Sequence, residues 1–304
     1  MSDERAAEDD ASAAPPVRYP YPAAQRSYFV LRTSSLDGLV AQLARHPAVE
    51  GVVVMGSAGE GALTPASDYD LFVVLAELPA PLWLGVTRVA GRLTEVYFAT
   101  LVAVERLAGD AAVPADTIAA TQLGWLQYGR IAFDRAGRLR AAQERARAVG
   151  RVVPQRERDV YAAWFKVNYN VRQTRRIAAS DDPLYGLTVE YRLLYGVAEL
   201  LPAYFTVRRE PWPGEKGALR HLAARDPEYL ALFRACVEEA DRARKVERYA
   251  ALAAATLAPL GGLWPDDASA ITVELAGDEE LTPDMLAAAT ELWESLIGGA
   301  ESPG

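Results

Sequence analysis

The fold is decided by residues 52–75, whose sequence is VVVMGSAGEGALTPASDYDLFVVL. Residues 52–55 and 71–75 are short, continuous apolar runs, which are typical of buried strands. Between them lie a glycine-serine corner and a loop of small residues. This order of strand, corner, loop and strand predicts a sheet edge at which the backbone can approach a ligand closely.

The corner and the loop carry residues that suit phosphate and metal chemistry. The Gly56 backbone, the Ser57 hydroxyl and nearby main-chain amides can hold phosphate oxygens, and Ser67 is a further candidate nucleotide ligand. Asp68 and Asp70 are two residues apart on an extended segment, so their carboxylates project from the same face. Because Mg²⁺ prefers carboxylate, water and phosphate oxygens, the segment predicts a metal-assisted phosphoryl-group site.

A third carboxylate begins the next extended run, at residues 95–101. Glu95 could lie beside the two aspartates on a neighbouring strand, where it would ligate the metal or accept a proton. An isolated negative charge on an apolar strand is costly to bury without a cation or solvent. The alternative is that Glu95 only starts an exposed strand edge.

Residues 56–71 resemble the signature of the DNA polymerase beta-type nucleotidyltransferase superfamily, and most of all its streptomycin/spectinomycin-like aminoglycoside nucleotidyltransferases. The resemblance covers about residues 37–101. It implies Mg²⁺, ATP or another nucleoside triphosphate as donor, and transfer of a nucleoside monophosphate with release of pyrophosphate. It also implies that Gly56 and Ser57 hold phosphates, Asp68 and Asp70 hold metal, and Glu95 fills the third acidic position.

The chain is predicted to change character near residue 150. Residues 1–24 mix Asp, Glu, Ala and Pro without periodicity, as in a disordered tail. Residues 25–150 predict an α/β (α+β) nucleotidyltransferase domain with a short mixed sheet, residues 151–262 an all-α helical bundle, and residues 263–304 an extension with a packed helix. The predicted helices are 36–45, 82–92, 117–128, 156–179, 184–206, 215–224, 227–257 and 283–297, and the predicted strands 52–55, 71–75, 95–101 and 130–133.

The helical half offers few residues for the chemistry. Lys166 is a candidate phosphate ligand, although its charge could equally extend past aromatic neighbours to water. Lys216 has the same two interpretations. Because ligand sites favour domain interfaces, Glu190 and Tyr191 are candidate contacts to an acceptor in the cleft, with a solvated face as the alternative.

Composition excludes several function classes. A net charge of -9 argues against strong nucleic-acid binding. The sequence has no apolar run long enough to span a membrane and no signal peptide, which predicts a cytoplasmic protein. Cys236, the single cysteine, excludes an internal disulfide and is expected to be a buried helix residue.

The leading hypothesis is an enzyme whose partners are a nucleoside triphosphate and a small hydroxylated acceptor, for which an aminoglycoside-like cation is one example. Two other hypotheses stay open, namely a nucleotidylating enzyme that modifies another protein and a non-catalytic nucleotide-binding regulator. A homodimer is compatible with all three. Neither His46 nor His221 has a Ser or Cys partner in its sequence context that would suggest nucleophilic catalysis.

Overall fold

The computed structural model describes residues 33, 35–115, 117–277 and 279–297. The tail predicted at residues 1–24 and Gly298, the residue expected after the last helix, lie outside the described residues. The described chain forms a mixed sheet covered by helices, followed by a helical bundle. This architecture confirms the predicted fold class.

The central sheet has five strands in the order β3-β4-β2-β1-β6. β2 and β4 are parallel, and the other neighbouring pairs are antiparallel. A separate two-stranded parallel sheet joins β5 to β7. The strands are β1 (Val49–Met55), β2 (Tyr69–Leu75), β3 (Leu84–Val89), β4 (Arg92–Thr100), β5 (Val113–Pro114), β6 (Arg130–Asp134) and β7 (Val152–Val153).

Helices cover both faces of the central sheet. One face packs on α1, where Val52, Val54 and Leu71 are buried, and the other packs on α3 to α5, where Val53 and Phe72 are buried. Successive strand side chains point to opposite faces, so burial on both faces explains the continuous apolar runs of β1 and β2. The helices of this half are α1 (Leu36–Arg45), α2 (Gly56–Gly59), α3 (Leu101–Gly109), α4 (Ile118–Tyr128) and α5 (Arg138–Val149).

The second half buries a separate apolar core, to which Leu193, Phe205 and Tyr249 contribute. Cys236 lies in this core and is fully buried, as predicted. No described helix combines the length and apolar character needed to cross a bilayer. The helices are α6 (Glu157–Ala178), α7 (Pro183–Val207), α8 (Gly214–Arg225), α9 (Pro227–Glu238), α10 (Arg242–Thr256) and α11 (Pro283–Ile297).

The helix predicted at residues 82–92 is wrong. The segment forms β3 and the start of β4, which pair as an antiparallel hairpin. The apolar spacing is compatible with a helix, but the β-branched residues of β3 favour a strand. The turn contains Ala90 and Gly91, which both have positive φ, as a tight hairpin requires.

The single helix predicted at residues 227–257 is also wrong, because two helices, α9 and α10, occupy this segment. Asp241 starts the second of them, and its carboxylate accepts a hydrogen bond from the Arg244 amide at 2.9 Å. Glu239 lies in the break and pairs with Arg248. Polar capping therefore interrupts a segment whose apolar periodicity runs across the break.

The C-terminal extension lies along α6. The Tyr161 hydroxyl donates to the Ile271 carbonyl at 2.7 Å, and Trp264 packs edge-on against Trp164. α11 forms at the predicted residues, and the Thr282 hydroxyl caps it by accepting from the Met285 amide. Packing of its apolar stripe is only partial, since Leu296 is 68% exposed.

Candidate active site

Asp70 and Glu95 lie side by side on the parallel strands β2 and β4, where they are paired in register. Phe72 and Tyr97, each two residues further along, lie on the same face beneath α4. The Tyr97 hydroxyl donates a hydrogen bond to the Glu95 carboxylate at 2.8 Å. The two carboxylates therefore occupy the part of this face that lies just beyond the helical cover.

Asp68 precedes β2 and lies in a loop that is stabilised by hydrogen bonds from Arg92. The Arg92 guanidinium donates to the Thr64 carbonyl at 2.6 Å and to the Ser67 carbonyl at 2.7 Å. The Ser67 hydroxyl accepts from the Thr64 amide at 3.0 Å. Ser67 thus shapes the loop, and its contact with a nucleotide stays a prediction.

The glycine-serine corner lies directly behind the carboxylates. Gly56 has a φ of +55°, and a Cβ at this position would lie 2.9 Å from an Asp70 carboxylate oxygen. A side chain here would therefore strain the backbone and displace the Asp70 carboxylate. Ser57 belongs to the single helical turn α2, and its carbonyl accepts from the Ala62 amide at 2.8 Å.

The site concentrates negative charge. Burial first, and then the charges of Asp68 and Glu95, raise the pKa of Asp70 from 3.8 to about 6, while Lys216 opposes this rise. Burial, together with the hydrogen bond to Glu95, raises the pKa of Tyr97 to about 12. Like charges at this spacing favour binding of a cation.

A lysine from the helical half approaches these carboxylates. Lys216, in the first turn of α8, places its Nζ 3.6 Å from an Asp68 carboxylate oxygen. Lys166, the lysine predicted to bind phosphate, instead pairs with Glu199 at 2.8 Å. The two lysines differ because of where their helices lie. Residues 211–214 bring the start of α8 to the site. Lys166, on α6, instead faces the neighbouring helix α7.

Glu190 and Tyr191 are not brought to the carboxylates. Glu190 pairs with Arg242 at 3.0 Å on the α10 side of α7. Tyr191 is 68% exposed and contacts Tyr195. Neither lines the cavity beside Asp70, and their contact with an acceptor stays a prediction.

A cavity of about 1260 Å³ opens in front of Asp70, between the two halves of the chain. The sheet half contributes Gly56, Asp70 and Tyr128, and the helical half contributes Trp212 and Gly214. Its described lining also contains two exposed cationic side chains, Arg147 and Arg151. This volume, with the Asp70 and Glu60 carboxylates and the two arginines in its lining, suits a nucleotide and its metal.

The residues present fit a divalent metal only with help from substrate. Within the described ranges, no group of three His, Cys, Asp or Glu side chains is arranged to hold a metal. Asp70 and Glu95 are adjacent, whereas Asp68 is turned towards Lys216. Mg²⁺ is commonly bound by one or two carboxylates together with substrate phosphates and water, and this donor set matches that pattern.

Residues 36–127 match the model of the nucleotidyltransferase domain family. The match runs from the start of α1 almost to the end of α4 and includes Asp68, Asp70 and Glu95. The chain therefore carries a nucleotidyltransferase domain of the DNA polymerase beta-type superfamily, as the resemblance of residues 56–71 predicted. By this domain it is a nucleotidyltransferase.

Among solved structures, the chain is similar to a crystal structure of a nucleotidyltransferase-like protein from Exiguobacterium sibiricum 255-15. The sequence identity is 14%, the TM-score is 0.37, and the alignment covers 69% of this chain and 69% of that chain. A likeness at this level adds nothing to the assignment from residues 36–127. No significant match to a curated protein was found.

Sequence reasoning missed two residues that shape the site, Tyr97 and Arg92, and preferred Lys166 to a third, Lys216. Tyr97 was detectable, because a residue two positions after Glu95 on a strand lies on the same face. Lys216 was weighed but not chosen over Lys166, and its position depends on how the two halves pack. Arg92 had no sequence signal, since its hydrogen bonds reach residues 25 and 28 positions earlier.

Proposed function

We propose that this enzyme transfers a nucleoside monophosphate from a nucleoside triphosphate, ATP for example, to a hydroxyl group of a small molecule, with the help of Mg²⁺. The observation that carries the proposal is the register pairing of Asp70 with Glu95 beside the side-chain-free corner at Gly56. The cavity between the two halves supplies room for both reactants.

The triphosphate is held at the carboxylate end of the cavity. The Gly56 backbone lies next to Asp70, and Lys216 lies beside Asp68. When the nucleotide enters, Lys216 exchanges its contact with Asp68 for a phosphate oxygen. A lysine ammonium on a flexible stem is suited to this exchange, because it acts as a mobile point charge.

The acceptor hydroxyl attacks the α-phosphorus, a new oxygen–phosphorus bond forms, and the bond to pyrophosphate breaks. Glu95 accepts the hydroxyl proton, and Tyr97 orients the Glu95 carboxylate through its hydrogen bond. Asp70, joined by Asp68 once Lys216 has released it, would hold the metal. A bound Mg²⁺ supplies positive charge that offsets the negative charge developing on the phosphate oxygens.

The proposal is tested by incubating the protein with each of four α-labelled nucleoside triphosphates, a panel of hydroxylated small molecules, and either Mg²⁺ or EDTA. We expect a labelled small molecule and equimolar pyrophosphate only with Mg²⁺. Label on a protein band would contradict a small-molecule acceptor. Failure of every triphosphate to bind at millimolar concentration would contradict the proposal at its first step.

The Asp70→Asn variant provides the matched test of the site. It should lower turnover by about 100-fold or more, because it replaces a negatively charged carboxylate of the proposed metal site by a neutral amide. The fold should be retained, since removing a charge from a crowded cluster relieves repulsion. Asp110→Asn, an exposed change at the end of α3, is the control and should leave turnover unchanged. Wild-type turnover in Asp70→Asn would refute the assigned role.

A further inference from the structure

A second cavity, of about 540 Å³, adjoins the cavity at Asp70. The two cavities share Tyr97, Trp125 and Trp212 in their walls. Because the Tyr97 hydroxyl contacts Glu95, the second cavity begins one side chain away from the proposed proton acceptor. A molecule bound there can present a hydroxyl to the reaction centre. We call this second cavity the aromatic lobe.

Aromatic rings form a continuous wall of the lobe. The Trp83 and Tyr97 ring centroids are 5.8 Å apart in an edge-on arrangement, and those of Tyr97 and Trp125 are 4.5 Å apart. Trp83 is 42% exposed and Ile118 is 62% exposed, although both are large apolar side chains. Exposed apolar surface that lines a concave site is typical of ligand binding.

The described lining of the lobe contains no charged side chain. Its two threonine hydroxyls already donate to main-chain carbonyls, Thr117 to Pro114 at 2.7 Å and Thr121 to Thr117 at 3.2 Å. Ring faces can attract a single cation, but the lobe offers no carboxylate to pair with the several ammonium groups of a polycation. The lining therefore favours a flat ring as the group bound there.

We infer that the acceptor is a molecule that carries a flat, apolar ring next to its reactive hydroxyl. This inference rests on the proposed function, because the lobe is assigned to the acceptor of that reaction. It departs from the aminoglycoside-like cation that the sequence resemblance suggested. The volume of the lobe accommodates a molecule of two or three rings, since drug-sized ligands occupy cavities of roughly 300–1,000 Å³.

The first experiment compares three probes by isothermal titration calorimetry on the full-length protein, with and without Mg²⁺ and a non-hydrolysable ATP analogue. The probes are 4-nitrophenyl β-D-glucopyranoside, methyl β-D-glucopyranoside and kanamycin. The first two share their sugar and differ in the ring, whereas kanamycin carries hydroxyls and several positive charges. We expect the ring-bearing probe to bind at least about tenfold more tightly than the other two.

The second experiment tests whether Trp83 forms part of the ring-binding surface. Trp83→Ala should weaken binding of the nitrophenyl probe about tenfold, because it removes one aromatic contact from the wall. Trp83 directly precedes the edge strand β3 and is 42% exposed, so the fold should tolerate the change. Trp293→Ala is the matched control, since Trp293 is 39% exposed on α11 and lies outside the lobe, and it should bind the probe as the wild type does.

The two proposals fail in different ways. Binding of kanamycin as tight as that of the nitrophenyl probe, equal binding of the two glucosides, or equal losses in Trp83→Ala and Trp293→Ala would each overturn the inference. Absence of any nucleotide-dependent product, while the nitrophenyl probe still binds through Trp83, would overturn the proposed function and leave the assignment of the lobe as a ring-binding site intact.

Discussion

Gly56 is a residue whose backbone conformation affects the position of a proposed metal-binding carboxylate. It combines a positive φ with a carboxylate oxygen in the space that a Cβ would occupy. Gly61 offers a natural comparison, because it also has a positive φ, +73°, but no atom lies within 4 Å of its hypothetical Cβ. Comparing substitutions at the two glycines therefore distinguishes the effect of backbone strain from the effect of contact with Asp70.

Gly56→Ala and Gly61→Ala should each lower the free energy of unfolding by about 1 kcal/mol, because a non-glycine residue is disfavoured at positive φ. Gly56→Ala should in addition reduce nucleotidyl transfer about 100-fold by displacing Asp70. Urea denaturation and initial rates measure the two effects. Equal activity in both variants would show that the Asp70 position tolerates the extra methyl group.

Two lysines of the helical half, Lys216 and Lys166, provide a second comparison at this scale. Lys216 and Lys166 are similarly exposed, 67% and 62%, and each pairs with one carboxylate. Only Lys216 pairs with a carboxylate of the proposed metal site. Which lysine serves the nucleotide is therefore a question of position and not of residue type.

Lys216→Met should raise the KM for the nucleoside triphosphate about tenfold, because one charge-assisted contact to phosphate is lost. Lys166→Met should leave this KM unchanged. Initial rates at varied nucleotide concentration provide the measurement. A larger effect in Lys166→Met would return the phosphate contact to the residue first predicted from the sequence.

At the scale of elements, the β3–β4 hairpin positions Glu95 and the aromatic wall. Its turn uses Ala90 with a φ of +51° and Gly91 with a φ of +77°. Alanine is poorly suited to this conformation, whereas Asn-Gly is the preferred pair for such a turn. The hairpin thus carries a small local strain that a substitution can remove.

Ala90→Asn should raise the free energy of unfolding by about 0.5 kcal/mol, because asparagine tolerates positive φ better than alanine does. Gly91→Ala at the neighbouring position should lower it by about 1 kcal/mol. Chemical denaturation of both variants provides the measurement. Stabilisation by Gly91→Ala would contradict the turn geometry.

At the scale of the whole molecule, the cavity is completed only when the two halves meet. Gly56 and Asp70 come from the sheet half, while Trp212 and Gly214 come from the segment that leads into α8. The first turn of α8 has no side-chain cap, so its amides are free of a capping side-chain acceptor. A nucleotide in this cavity would touch both halves at once.

Binding of ATP with Mg²⁺ should therefore slow amide hydrogen exchange in residues 56–61 and in residues 214–218, but not in α11. At a nucleotide concentration about 100 times Kd, linkage predicts about 2.7 kcal/mol of added stability. The Asp70→Asn variant should show neither effect. Protection confined to residues 56–61 would mean that the nucleotide does not bridge the two halves.

Much of the first half was predictable from local sequence. Residues 36–45 form a helix because Ser35 caps an apolar stripe, and the runs of β1 and β2 are continuous because both faces of the sheet are buried. The spacing of Asp68 and Asp70 predicted that both share one face, but only Asp70 lies on β2, and Asp68 lies in the preceding loop beside Lys216. The helices α3 and α5 and the hairpin at Ala90 escaped prediction, because short amphipathic segments carry a weak periodic signal.

Local sequence could not predict the contacts between residues that are far apart in the chain. Two-residue alternation on a strand is a property of neighbouring residues, so the prediction that Asp68 and Asp70 share one face needs only the local sequence. Three features depend on how the strands and the two halves pack. They are the approach of Lys216 to Asp68, the hydrogen bond from Arg92 to Thr64, and the contacts of Trp83, Tyr97 and Trp125 in one wall. Packing energy is shared among many side chains, and no short stretch of sequence encodes the partner that each one meets.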